Sequence, residues 1–310
     1  IVPALSWSTT IWPLIQCNLV PVFVDIDLET LNIDVNQIKK AITKKTKAIM
    51  LVHVYGNPCE MKKILRLCRE YNLTLIEDCC ESMGAKYGNR PVGQFGKVGT
   101  FSFYFSHHIT TVEGGMVVTE DKEFSELLRI LRAHGWIREI EDKNKYKFPS
   151  IDEKFLFVNL GYNLRLNELQ ASIGNVQIKK FPSILKKRCE IANRWKKLLK
   201  QFEDKISFQK ETVNSFHSWF GFCITLKNSS KKKLDDFRKY LTKNRIENRP
   251  IICGNMTKQP AIKKFKHKVV GNLENSSYVM DNSFSIGCHQ NVTKHSQDYT
   301  QQIFKNYLGD

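Results

Sequence analysis

The chain has no run of apolar residues near the ~18 that a membrane-spanning helix needs, so no span is expected. Its opening, IVPALSW, lacks a basic leader and a small-residue cleavage site, so no secretory signal is expected either. Nine cysteines are scattered at 17, 59, 68, 79, 80, 189, 223, 253 and 288, with no CxxC pair among them. That spacing excludes a disulfide framework and argues against zinc ribbons and cysteine-ligated iron–sulfur clusters; reduced thiols in a cytoplasm fit it. Internal repeats and low-complexity tracts are absent. Acidic residues are few, 31 against 48 Lys and Arg, for a net charge of +17. Yet no basic motif is interleaved with aromatics, so a nucleic-acid platform is not expected. The lysines are spread over amphipathic segments such as NQIKKAITKKTKAI and LKKRCEIANRWKKLLK, which read as solvated helix faces. An anionic small substrate, such as a nucleotide-sugar, is the next use for the charge.

What is present is an alternation. PVFVDID (21–27) and KAIMLVHVYG (47–56) are β-branched apolar runs and read as buried strands. VNQIKKAI, CEMKKILRLCREY and EFSELLRILRAHGW carry apolar residues at helical spacing. LTLIEDCCES, KVGTFSFYF and GGMVVTED add three more strands. Strand–helix repetition implies an α/β fold with a mostly parallel sheet, whose ligands bind at the carboxyl ends of the strands. Residues 137–159 read as a long polar loop, and a long helix follows. From about residue 205 the pattern turns to strands and short helices. The expected division is a large cofactor-binding α/β domain over 1–175 and a connecting helix with a small α+β domain over 176–310. The buried-strand character at residue 1 suggests that the large domain is partial at its N-terminus and that a segment precedes it.

Chemistry concentrates in a few places. Asp78 closes the apolar strand TLIED, where its carboxylate could face a ligand, pair with a protonated ring nitrogen, or merely cap a turn. Glu81 would share that side of the turn. Ser102 lies on the strand leading to the turn FSHHITT and could donate to a phosphate. Trp7 could stack on a flat ring or pack in a core. Asn163, in GYNLRLNELQ, could cap a helix or touch a ligand. The adjacent His107 and His108 could bind a metal, move protons or cap a loop. Gly114–Gly115 lets the backbone pass close to a neighbour or serves a hairpin.

The order of these pieces resembles the fold-type I, pyridoxal-phosphate-dependent DegT/DnrJ/EryC1/StrS group of sugar aminotransferases. The likeness runs through VPALSWSTT, PVFVDIDLETLNID, GNPCEM, LIEDCCESMGAKY, GTFSFYFSHHITTVEGGMVVTED, LRAHGW and GYNLRLNELQASIG. In that family the turn reads approximately FSF-x-x-x-K-N-I-T-T-x-E-G-G, and its lysine binds the cofactor covalently. His107 stands at the lysine position and His108 at the neighbouring asparagine. That exchange marks the sugar 3-dehydratases of the family. The resemblance implies pyridoxal or pyridoxamine phosphate as cofactor, L-glutamate as amino donor, a GDP-linked 4-keto-6-deoxy sugar as substrate, and a homodimer with shared sites. It implies His107 as the catalytic base, Asp78 against the pyridine nitrogen, Glu81 beside the cofactor hydroxyl, Ser102 on the phosphate and Trp7 on the ring face. Asn163 would reach the phosphate of the neighbouring subunit; His134 and Arg249 are substrate-side candidates. Relatives acting on CDP-sugars carry a 2Fe–2S cluster, but AHGWIREIEDKNKYKF contains no cysteine, so no cluster and no metal are expected. An aminotransferase, or a non-catalytic truncated relative serving as a dimerising partner, are the alternative readings.

Overall fold

Where β-branched runs alternate with amphipathic stretches, strands and helices follow in that order. A computed structural model describes residues 1–309. The first part contains β1 (Val2–Pro3), α1 (Ser8–Gln16), β2 (Val22–Val24), α2 (Val35–Ala41), β3 (Ala48–Val52), α3 (Met61–Glu70) and β4 (Thr74–Asp78). Then come the short pair β5 (Lys86–Tyr87) and β6 (Arg90–Pro91), β7 (Val98–Ser102), β8 (Gly115–Val118) and α4 (Lys122–Arg132). The 32-residue α5 (Glu168–Leu199) leads to β9 (Ile206–Phe208), β10 (Ser215–Phe216), β11 (Phe222–Leu226), α6 (Lys231–Lys243) and β12 (Asn248–Pro250). β13 (Lys268–Val269), α7 (Glu274–Asn282), β14 (Ser283–Ile286) and α8 (Lys294–Leu308) complete the order.

β3, β4 and β7 run parallel, and β8 closes the edge antiparallel. Parallel strands are covered on both faces, which is why AIMLV is continuously apolar. The register sets Val52, Asp78 and Thr100 side by side, so the carboxyl ends form one row. β1, β2 and β13 make a parallel set, joined to β3 where the Met50 N–H donates to the Ile1 carbonyl at 2.9 Å. α3 buries Met61, Ile64, Leu67 and Cys68 along one stripe. Capping boxes start α5 (Asn167 with Gln170) and α8 (Thr293 with Ser296).

The antiparallel sheet β12–β14–β11–β9 packs its core, Trp195, Phe222, Phe237, Phe284 and Phe304, between α5, α6 and α8. Strand β13 and the Leu5–Asn255 bridge bring the stretch between residues 255 and 269 back to the first sheet. Residue 175 falls inside α5. That helix exposes Leu169, Val176 and Ile178 in its first half and buries Ile184, Ile191 and Trp195 in its second.

Two expected strands are shorter than their apolar runs. The run 47–56 stops at Val52, because Tyr55 takes a left-handed φ of 56°. The apolar run HSWFGFCITLK (217–227) forms its strand, β11, only from Phe222, after Trp219 takes a φ of 54°; β11 joins β14, while β10, before the run, pairs with β5. The loop 137–159 holds two short 3-10 turns over a small cluster of Ile130, Ile137, Ile140 and Leu156. No helix among the described residues is long and apolar enough to cross a membrane.

Candidate active site

Side chains alternate across a strand, so the two acids that end β4 face opposite ways. Glu77 is fully buried and accepts from the Gly93, Phe95 and Gly96 N–H groups at 2.8, 2.6 and 2.6 Å. His53 Nε2 donates to it at 3.1 Å, and His53 Nδ1 accepts from the Cys59 N–H at 3.0 Å. With Cys79 this is a buried trio of metal-binding types, but both imidazole nitrogens are already engaged within the protein.

Asp78 faces the other way, at the row of carboxyl ends. Its Oδ2 accepts from the Thr10 hydroxyl at 2.7 Å and its Oδ1 from the Cys80 N–H at 3.1 Å. Thr10 comes from α1, whose N-cap position is Trp7, 54% exposed. The carboxylate is thus fixed from two elements, while the exposed Trp7 stands at the start of α1.

Glu81 is half-buried, and its Oε2 accepts from the Tyr55 N–H at 2.8 Å. Burial, added to by the charge of Asp78 and opposed by that N–H, raises its carboxyl to about 8. It is therefore mostly protonated at neutral pH. The same contact explains Tyr55. A left-handed tyrosine costs about 1–2 kcal/mol. It is held there by Glu81 at its N–H, by the Phe220 N–H on its carbonyl at 2.8 Å, and by Ser285 on its hydroxyl at 2.8 Å.

The histidine turn lies over this floor. His108 is 2% exposed and donates from Nε2 to the Ser218 carbonyl at 2.9 Å, which ties the turn to the strand-break loop of the C-terminal part. Burial pushes it down to about 3. His107 packs against Phe220 at 5.1 Å between ring centroids. Burial and then the charge of Arg188 lower it, against the pull of Asp78, to about 4. The His107 Nδ1 is buried and has no hydrogen-bond partner among the described residues. A neutral imidazole with an uncommitted nitrogen can take a proton from a bound carbon acid; the His108 Nδ1 is likewise buried without a partner among the described residues, while its Nε2 is held by Ser218.

A cleft of about 510 Å³ opens beside His107 and is lined across from it by Arg249, which is exposed and ion-paired to Glu247 through Nε at 2.9 Å and Nη2 at 2.6 Å. The structure thus gathers Asp78, Glu81 and His107, with Arg249 on the same cleft. Ser102 is half-buried on β7, where its Oγ accepts from the Tyr104 N–H at 3.2 Å and keeps a hydroxyl proton to donate. Asn163 and His134 lie elsewhere. Both are exposed, on the paired segments where Ala133 bridges Asn163 and the His134 N–H donates to the Tyr162 carbonyl at 2.8 Å.

Thr10, Tyr55, Phe220 and Arg188 belong to this region and escaped the sequence reading. Thr10 was one hydroxyl among several in SWSTT. Arg188 looked like part of a solvated basic face, yet it is 3% exposed. Its spacing was the available signal: it falls on the stripe Ile184, Arg188, Ile191, Trp195, Leu199.

A parallel-sheet α/β fold with a carboxylate fixed at the carboxyl end of a central strand, beneath a turn from the next strand pair, defines the aminotransferase fold of pyridoxal-phosphate enzymes. The chain matches the DegT/DnrJ/EryC1/StrS aminotransferase family over residues 1–305, and it belongs to that family. It is similar to GDP-4-keto-6-deoxy-D-mannose 3-dehydratase of Escherichia coli O55:H7, with 41% identity over 312 residues, 98% of this chain and 79% of the relative. Among solved structures it is similar to the E. coli GDP-4-keto-6-deoxy-D-mannose-3-dehydratase with bound hydrated PLP, at TM-score 0.90 and 38% identity, covering 97% of this chain and 78% of that one. It is also similar to a GDP-4-keto-6-deoxymannose-3-dehydratase with a trapped PLP-glutamate geminal diamine, at TM-score 0.90 and 39% identity, covering 97% and 79%. The fold class expected from the sequence is the fold found.

The residues present fit pyridoxal phosphate. Asp78 offers a fixed carboxylate to a protonated ring nitrogen, Trp7 an exposed aromatic side chain, and Ser102 a free hydroxyl proton.

Proposed function

We propose that this chain is a pyridoxal-phosphate-dependent, glutamate-using 3-dehydratase of a nucleotide-linked 4-keto-6-deoxy sugar, with GDP-4-keto-6-deoxy-D-mannose as the substrate. The observation that carries this reading is His107: a neutral imidazole with a buried, unpartnered Nδ1 stands where the family's aminotransferases have a lysine. When bound, the cofactor supplies an electron sink through its protonated ring. Asp78, fixed by Thr10 and Cys80, holds the charge on the ring nitrogen. Trp7 covers the ring face, Ser102 donates to the phosphate, and Glu81 presents a neutral carboxyl to the ring hydroxyl. His107 cannot tie up the cofactor covalently, but it can take a proton from carbon and return it to the departing C3 hydroxyl oxygen. Arg249, and less directly His134, act on the substrate side. The product is a 4-keto-3,6-dideoxy sugar nucleotide, with ammonia lost to water, as a precursor of colitose or a related lipopolysaccharide O-antigen sugar.

The working unit in this proposal is a homodimer in a reducing cytoplasm, binding neither nucleic acid nor membrane. In support, Leu160, Leu164 and Leu169 are 84%, 70% and 79% exposed on one stretch with Asn163, more apolar surface than a monomer usually shows. Asn163 would reach a partner's phosphate site from there. The domain division at about residue 175 belongs to the same proposal. No iron–sulfur cluster takes part in this scheme.

The test mixes the protein with pyridoxal phosphate and L-glutamate and follows absorbance from ~390–420 nm towards ~330 nm, the aldehyde and amine forms of the cofactor. GDP-4-keto-6-deoxymannose is then added. Ammonia release with a 3-deoxy product is expected, and His107→Phe keeps the cofactor band but releases no ammonia. A stable 4-amino sugar would establish the aminotransferase reading instead; absence of any cofactor band would leave a non-catalytic dimerising relative.

A further inference from the structure

Arg188 lies in an apolar stripe, 3% exposed. Its Nη1 donates to the Trp219 and Phe220 carbonyls, each at 3.0 Å. Its Nε is buried and has no hydrogen-bond partner among the described residues. The ion pairs among those residues do not include it. An arginine does not give up its proton in a protein, and a buried charge is costly unless an opposite charge meets it. Two neutral carbonyls answer only one corner of the guanidinium.

Arg188 borders the cleft that His107 also lines, and Nη2 is its one donor that is neither bonded nor buried. Arg245, Arg249 and His289 line the same space, and Glu247, the one acid on its wall, is already bound by Arg249. The cleft therefore carries an excess of positive charge at its mouth and an unpaired guanidinium at its inner end. With Nη1 committed to the carbonyls and Nε buried, Nη2 is the donor that remains for a ligand. A charged Nη2 can donate to one oxygen of a carboxylate or phosphate.

We propose that Arg188 is the inner anion anchor of this cleft, binding a carboxylate or phosphate group of a ligand that enters beside His107. Under the function proposed above, two sources share this chemistry: a carboxylate of the amino donor and the diphosphate of the sugar nucleotide. The anchor itself rests on the buried guanidinium and the cleft; only the identity of its ligand rests on that function.

The experiment is calorimetric titration of the wild type, Arg188→Lys and Arg188→Gln with glutarate, which has no amino group to react, and separately with GDP. Lysine keeps a charge near the two carbonyls but has no planar fork. The probe that uses the anchor is expected to bind Arg188→Lys at least about tenfold more weakly, and Arg188→Gln more weakly still, while the other probe is unaffected. A glutarate effect identifies the carboxylate source, a GDP effect the diphosphate. Wild-type affinity for both probes in both variants, or no binding of either probe by the wild type, overturns the proposal. If neither variant folds, wild-type crystals soaked in each probe decide. An oxygen within hydrogen-bond distance of the Arg188 Nη2 supports the anchor, and a probe held only by Arg245 or Arg249 overturns it. Cofactor absorbance is recorded in the same samples. An Arg188-dependent anion without a cofactor band sinks the dehydratase and keeps the anchor; a cofactor band with no Arg188 effect does the reverse.

Discussion

Replacing Glu81 by glutamine should change how stability depends on pH more than it changes stability itself. The Glu81 carboxyl titrates near 8 in the folded protein against an ordinary 4.5, chiefly through desolvation. Between those values the folded state holds a proton that the unfolded chain has released. Stability from this group is therefore fully present below pH 4.5 and is lost as pH rises through 8. At about 1.4 kcal/mol per unit, the ceiling is about 5 kcal/mol. Glutamine keeps the oxygen that accepts from the Tyr55 N–H but does not titrate. His107 and His108 work the other way: lowered to about 4 and about 3, they cost stability as pH falls below 6.5. They are common to both proteins and cancel in the difference. Thermal unfolding followed by circular dichroism, without cofactor, from pH 5 to 9 is the assay. The wild type should lose several degrees relative to Glu81→Gln across that range, at about 1–2 °C per kcal/mol for a chain this long. Melting curves that stay parallel within about 1 °C would refute a protonated Glu81.

Thr10→Val removes the hydroxyl that holds Asp78 Oδ2 and keeps the shape; pyridoxal phosphate, titrated by absorbance, should bind about 5–20-fold more weakly, with Thr10→Ser restoring it. Gly161→Ala places a Cβ into the backbone of His134 and Gly135, which cannot move aside like a side chain, and the urea midpoint should fall by the equivalent of at least about 2 kcal/mol. Under the proposed homodimer, Leu169→Glu with Val176→Glu puts charge on the exposed apolar half of α5 and should leave a monomer by light scattering; equal particle mass in wild type and variant counts against that interface.

The sequence alone determined the alternation of strands and helices, the position of Asp78 at a strand end, and the adjacent histidines of the turn after β7. Each of these is written in local order: a β-branched run, a terminal acid, a motif of fixed spacing. Helix α3 was legible from its stripe alone, because Met61, Ile64 and Leu67 need only one covered face. Tertiary structure decided which neighbours those residues meet. Thr10 and Asp78 are 68 positions apart, and nothing local pairs them; parallel strands with crossover connections do. Tyr55 reads as one more residue of an apolar strand, yet Glu81 and Phe220 hold it left-handed and end the strand before it. Arg188 has the composition of a surface helix and the burial of a core, because the carbonyls of Trp219 and Phe220, about thirty residues on, accept its protons. Residue type fixes what a group can do, but burial and partners set its protonation and reach, and those come from segments far along the chain.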